Sequence, residues 1–262
     1  MAGVTRDPWA TFAGLTPARI GLGRAGASLP TREVLALALA HGQARDAVYA
    51  KLDLIALRAG LAALGQTVVA VTSPATDRAR YLTRPDLGRR VDAASRATLV
   101  AVAGRFDLAI VIGDGLSARA VDAHALVLIE ALLPIVASLG MSLAPLVVAE
   151  GARVALGDDI ATTLGARAVV VLIGERPGLS SPDSLGAYLT FDARPGRTDA
   201  ERNCISNIRP AGLAPVLAAA KLAWLVREAF MRGCTGIALK DESDAGLVAG
   251  NERGALGPPA AR

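Results

Sequence analysis

The sequence predicts an α/β protein: a doubly wound, mostly parallel sheet beside a small helical N-terminal region. Three observations carry that expectation. Short apolar blocks of strand length at 67–71, 108–112, 146–149 and 168–173 are bounded by Gly and polar residues. Between them lie longer stretches whose apolar residues recur at helical spacing, and strands alternating with helices form parallel sheets with helices on their faces. Last, the run GERPGLSSPDSLGAY from Gly174 to Tyr188 starts where the apolar block 168–173 stops, so a buried strand would deliver a polar loop to one edge of the sheet. Open α/β folds keep ligands at that edge.

Taken in order, residues 31–64 are helical, with Val34, Leu35, Leu37, Ala38, Val48, Leu52, Ile55, Leu57 and Leu61 on the repeat and Gly42 and Gly65 as breaks. A strand at 67–71 follows, then helix 87–102, strand 108–112, helix 117–132 and strand 146–149. A short helix at 158–164 leads to strand 168–173, a short strand near 188–191, a long helix 215–232 and a last strand 237–240. The chain divides into an N-terminal arm and helical region at 1–65, a main domain at 66–240, and a tail at 241–262. The tail carries Gly, Ala and Pro without periodicity and is expected to be disordered.

A chain of 262 residues that is 52% hydrophobic has room for one sizeable core and is not globally disordered. Its apolar content is broken into short blocks, so no membrane-spanning helix is expected. The opening MAGVTRDPWATFAG lacks the basic start, apolar centre and small-residue cleavage site of a secretory leader, and a cytoplasmic protein is expected. Two cysteines and two histidines supply neither a disulfide framework nor a zinc site. The charge of +4 comes from arginines scattered among acids, and 3% aromatic residues are too few for a base-stacking surface, so no nucleic-acid partner is expected.

Several residues are candidates for chemistry. Gly21-Leu22-Gly23-Arg24-Ala25-Gly26 matches the dinucleotide fingerprint G-x-G-x-x-G and raises the alternative of a nicotinamide-dependent oxidoreductase. The fingerprint should follow a strand, however, and residues 15–19 read as a loop or helix start. Asp122-Ala123-His124 opens like D-x-H-x-x-G, by which some cobalamin proteins supply a histidine to cobalt. Val127 stands where that motif needs Gly, and His124 lies in a helical pattern, so a hydrogen-bonded histidine on a helix surface or core edge is expected. Asp114, between Gly113 and Gly115, either caps the next helix or faces a ligand, with capping favoured. Glu175 either accepts hydrogen bonds from a ligand's amides or makes a local contact with Arg176 or a loop amide. Cys204 has no histidine in a comparable position to act as its base and is expected to be a packed or ligand-touching thiol. A non-enzymatic scaffold with an arginine-rich binding face is a further class of reading.

Six segments in consistent order resemble the light chain of ethanolamine ammonia-lyase: TPARIGLGRAGASLPT from Thr16, YLTRPDLGRR from Tyr81, DLAIVIGDGLS from Asp107, GARVALGDDI from Gly151, VLIGERPGLSSPDSLGAYLTF from Val171 and RTDAERNCISNIRP from Arg197. The resemblance implies a Rossmann-like fold and a role as small subunit. A separate large subunit would carry most of the reaction centre, and adenosylcobalamin would be enclosed between the two for radical conversion of ethanolamine to acetaldehyde and ammonia. By motif position it implies that Val154, Glu175 and Cys204 contact the cofactor: Val154 through its backbone or as an apolar wall, Glu175 as acceptor for corrin amides, and Cys204 as a close contact. The missing D-x-H-x-x-G agrees with relatives that keep the cofactor's own dimethylbenzimidazole on cobalt. Some relatives carry a longer N-terminal extension linked to packaging in a bacterial microcompartment, whereas few residues here precede Thr16.

Overall fold

The structure, a computed structural model, describes residues 3–244. After an arm that contains a 3-10 segment at Pro8–Leu15, the helices α1 (Thr31–Tyr49) and α2 (Leu54–Ala63) lead into β1 (Val68–Thr72), α3 (Arg78–Thr83) and α4 (Ala93–Val100). The chain continues through β2 (Phe106–Gly113), α5 (Ala118–Ser138), β3 (Leu146–Glu150), α6 (Leu156–Leu164) and β4 (Ala166–Gly174). It ends with β5 (Leu185–Phe191), β6 (Asn203–Ile208) and α7 (Pro215–Arg232).

All six strands form one sheet in the order β1-β3-β2-β4-β5-β6. The first four are parallel, as their near-continuous Val, Ile and Leu runs require of strands buried on both faces. β5 then runs antiparallel to β4, and β6 antiparallel to β5, so the sheet is mixed and the expected mostly parallel winding holds only for its first four strands. The reason lies in the connections. A parallel return needs a crossover of a dozen or more residues, usually helical, and the Pro- and Gly-rich stretch between Gly174 and Leu185 supplies neither the length nor the helix.

Alternation along the strands builds two cores. Leu108, Ile110, Ile112, Val148, Val170 and Leu172 face α5 and α7, where Leu128, Ile129, Leu132, Leu222 and Val226 meet them. Ala109, Val111, Val147, Val169 and Val171 face α4 and α6, where they meet Leu99, Leu156, Ile160 and Leu164. α6 lies close on β4, for a Cβ added at Gly157 would come 2.3 Å from Val171 Cγ2.

Four further corrections concern single elements. The predicted helix 87–102 is a 3-10 turn at Leu87–Arg89 followed by α4, and the backbone of Val91 in the break donates to Asp159 Oδ2 at 2.9 Å. α5 passes through Pro134 rather than stopping at Leu132, and the burial of Val136 beyond the proline shows what holds the extra turn in place. That helix is long and apolar enough to cross a bilayer, which the sequence did not lead us to expect, but here it packs on the sheet beside α7. The predicted strand 237–240 is instead a 3-10 turn at Gly236–Ala238 with Ile237 85% exposed, and the sixth strand is β6. The expected disorder of the tail falls mostly on residues 245–262, outside the described residues.

Candidate functional site

Parallel pairing brings the carboxyl ends of β2, β3 and β4 to one edge, and antiparallel pairing brings the start of β5 and the end of β6 to the same edge. The loops that leave this edge are tied to one another. Asp114, after β2, accepts at Oδ1 from the backbone of Gly115 and of Ala152, both at 2.9 Å, and so joins the β2 and β3 exits. It is not the helix cap expected of it, because Ser117 accepts from Ala120 N and caps α5. Burial holds the Asp114 carboxyl above the ordinary carboxylate range, against the hydrogen bonds and Arg78 that oppose it.

The β3 exit, residues 151–154, is fixed from its other side by Tyr81. Its hydroxyl donates to Ala152 O at 2.9 Å, and its ring is faced by the guanidinium groups of Arg153 at 4.2 Å and Arg78 at 4.7 Å. Burial pushes the Tyr81 phenol up to about 12, so at neutral pH it remains a hydrogen-bond donor. Val154 follows directly, half-buried and packed on the same core face as Tyr188 of β5.

Glu175 is the first residue beyond β4. Its backbone donates to Ser184 O at 2.9 Å, and its Oε2 accepts from the Ser184 hydroxyl and from Asn207 N at 3.1 Å. The carboxylate thus bolts the loop 175–184 to the end of β6: of the local alternatives Arg176 is not its partner, and the amide it accepts from belongs to Asn207 of β6 rather than to the loop. Among the described residues no hydrogen bond reaches Oε1. The loop is further held by Ser117 Oγ donating to Pro182 O at 2.9 Å and Arg209 to Ser180 O at 3.1 Å.

Cys204 lies opposite Tyr188 in the β5–β6 register, on the same face of the sheet. The residue is exposed, yet its sulfur sits against neighbouring groups, and this partial loss of solvent pushes the thiol up. The Tyr188 hydroxyl opposes that shift, while the Glu175 and Asp199 carboxylates add to it. A thiol raised in this way stays protonated at neutral pH and is a poor nucleophile.

Val154, Glu175 and Cys204, far apart in sequence, therefore surround Tyr188. Val154, Glu175 and Tyr188 line one cavity of about 370 Å³ with Tyr81, Arg153 and Gly115. Its floor admits little bulk: a Cβ at Gly115, where φ is +58°, would fall 2.3 Å from Gly174 O, and one at Gly186 would touch Glu175 and Tyr188 at 3.1 Å. Tyr81, Arg153 and Tyr188 were missed as site residues, although each lies in a segment that carries the resemblance. The cavity can receive a broad, amide-bearing ligand against apolar walls and an acceptor, and it contains no base paired with a nucleophile.

The other candidates lie elsewhere. Gly21, Gly23 and Gly26 all adopt positive φ within the arm, where Thr5 and Arg24 exchange backbone hydrogen bonds and no strand leads into a helix, so the dinucleotide frame is not formed. Of the two places expected for it, His124 takes the core edge rather than the helix surface, and among the described residues its Nε2 has no hydrogen-bond partner, with Asp183 Oδ2 3.6 Å away. Among the described residues no group of three or more His, Cys, Asp or Glu side chains could hold a metal ion.

Comparison with known proteins gives a consistent result. The family model for "Ethanolamine ammonia-lyase light chain (EutC)" matches residues 6–240. A small subunit of ethanolamine ammonia-lyase from Bradyrhizobium diazoefficiens is 59% identical over 242 residues, covering 92% of this chain and 93% of its own. Those of Rhodopseudomonas palustris and Ralstonia nicotianae are 57% identical over 230 residues and 51% identical over 259, covering 87% and 97% of this chain and 88% and 96% of their own. The chain belongs to the ethanolamine ammonia-lyase light chain family and is the small subunit of a lyase.

Proposed function

We propose that this chain joins a large subunit to enclose adenosylcobalamin for the radical conversion of ethanolamine to acetaldehyde and ammonia, and that Val154, Glu175 and Cys204 form its share of the cofactor pocket. The observation that carries the reading is the convergence of these three residues around Tyr188 at a sheet edge. The first four strands with helices on both faces also make the Rossmann-like description apt for that part of the sheet. The residues fit the cofactor: Oε1 of Glu175 is an acceptor without a partner among the described residues, and Val154 is an apolar wall of the cavity.

When bound, the cofactor supplies a cobalt–carbon bond whose homolysis starts the radical chemistry. This chain's groups bind and orient. Glu175 accepts from corrin amides at Oε1 while its other oxygen holds the loop; the Tyr81 clamp keeps Val154 at a fixed height; protonated Cys204 packs without reacting. All of them exclude water from one side of the pocket.

The test is co-expression with a large subunit, followed by ethanolamine-dependent acetaldehyde formation and the visible spectrum of retained cobalamin. Activity should require this chain, and Glu175→Ala should cut cobalamin retention at least tenfold while leaving the two subunits associated. A large subunit equally active without this chain, or full retention by the variant, refutes the reading.

A further inference from the structure

A second depression, of about 810 Å³, adjoins the proposed corrin wall and shares Arg153 and Val154 with it. Arginine dominates its lining, with Arg89, Arg90, Arg96, Arg153, Arg197 and Arg202 against only Asp159 and Asp199. Three of these cations are committed within the protein: Arg96 to Asp159, Arg202 to Asp158, and Arg197 to Asp192 and Glu201. The other three have no carboxylate partner, although Arg153 donates through Nη2 to Tyr81 O at 3.0 Å and lies over the Tyr81 ring. Among the described residues, no carboxylate lies within 4.0 Å of Arg89, Arg90 or Arg153.

These three are held together by the fold. Arg153 N donates to Gly88 O at 2.8 Å, which ties the β3 exit to the turn bearing Arg89 and Arg90, and Gly88 is packed so closely that an added Cβ would meet Arg153 Cγ at 2.8 Å. Arg153 Nε is buried without a hydrogen-bond partner. The amino end of α6, which no side chain caps, opens on the same groove through Ala155. Guanidinium groups without a carboxylate partner suit a tetrahedral oxyanion with several acceptor oxygens.

Resting on the function proposed above, we infer that the groove formed by Arg89, Arg90 and Arg153 seats the phosphodiester of the cofactor's nucleotide tail. The corrin lies against Glu175 and Val154, and the tail crosses Val154 into the basic groove. The cofactor carries one such anion, and the groove lies directly beside the wall that receives its ring.

The experiment uses the assembled complex and two corrins that differ by the anion, cobinamide and cobinamide phosphate, titrated by visible absorption. The complex should bind cobinamide phosphate roughly tenfold or more tighter than cobinamide. The double variant Arg89→Ala/Arg90→Ala, at exposed positions without a carboxylate partner, should erase most of that difference and leave cobinamide binding unchanged. Inorganic phosphate should compete with cobinamide phosphate and not with cobinamide. A preference that survives the double variant overturns the inference while leaving the function intact. So does phosphate that binds the groove without displacing either corrin, or a double variant that no longer binds the large subunit, which would make the groove a subunit contact. A wild-type complex that binds neither corrin overturns both.

Discussion

The two faces of the β5–β6 extension are built from alternate residues of the same strands and meet different fates. Leu185, Ala187, Leu189, Ile205 and Ile208 point to the face under α7 and are buried. Gly186, Tyr188 and Thr190 alternate with the β5 residues on the opposite face, where Tyr188 is half-buried and Cys204 exposed. One face is filled with aliphatic side chains and contributes stability. The other leaves an aromatic ring half-buried and a thiol exposed, and it closes only at its far end, where Arg202 reaches Thr190 and Asp158. The strand period of two thus lets one pair of strands serve both core and cavity.

The largest effect that would sharpen this contrast lies at the closed end. Arg202 and Asp158 are 2% and 1% exposed and joined by two hydrogen bonds at 2.7 and 2.6 Å. Arg202→Met should cost about 3–5 kcal/mol of unfolding free energy in urea, because Asp158 is left buried without its cation. A loss below about 1 kcal/mol would mean that this end of the face is no more structural than the open end. Next come matched truncations on the two faces. Leu222→Ala, beneath the covered face, should cost about 2–5 kcal/mol. Cys204→Ala, on the open face, should stay within about 0.5 kcal/mol by the same measurement and lower cobalamin retention instead. Equal destabilisation by the two would break the comparison.

The smallest effect is one of pH. Backbone donation from Thr198, with Arg197 beside it, lowers the exposed Glu201 carboxyl from 4.5 to about 2. Because the folded value is depressed, the contribution is complete above about pH 4.5 and fades as pH falls toward 2. The Thr198 amide resonance should therefore titrate with a midpoint near 2, and a midpoint near 4.5 would remove the capping box beside the groove.

Much of the parallel half was legible because β1 to β4 are short, nearly continuous runs of Val, Ile, Leu and Ala bounded by helical stretches. β6 was not, since Asn203-Cys204-Ile205-Ser206-Asn207-Ile208 offers only two aliphatic residues to a single covered face and reads as a loop. The segment 237–240 misled for the converse reason: it is apolar, yet Gly236 at φ +75° starts a tight turn against Ala200 and Glu201. The antiparallel return of β5 could have been inferred from the missing crossover helix. The position of the edge that carries the cavity was visible in the loop at 174–188. The grouping of Val154 with Glu175 and Cys204 was not, because it depends on strand order, and only the family resemblance linked them.

β6 ends the sheet, and a strand in that position offers its backbone to any passing chain. Here both of its ends are clipped. Asn203 donates through Nδ2 to Leu239 O and accepts at Oδ1 from Gly236 N, Thr235 Oγ1 donates to Glu201 O, and Leu213 N donates to Asn207 O. The stretch 235–239 therefore acts as a guard against edge-to-edge aggregation. Proteolytic trimming back to Gly233 would remove this guard together with the buried Leu239 and leave the last strand open to pairing with another chain.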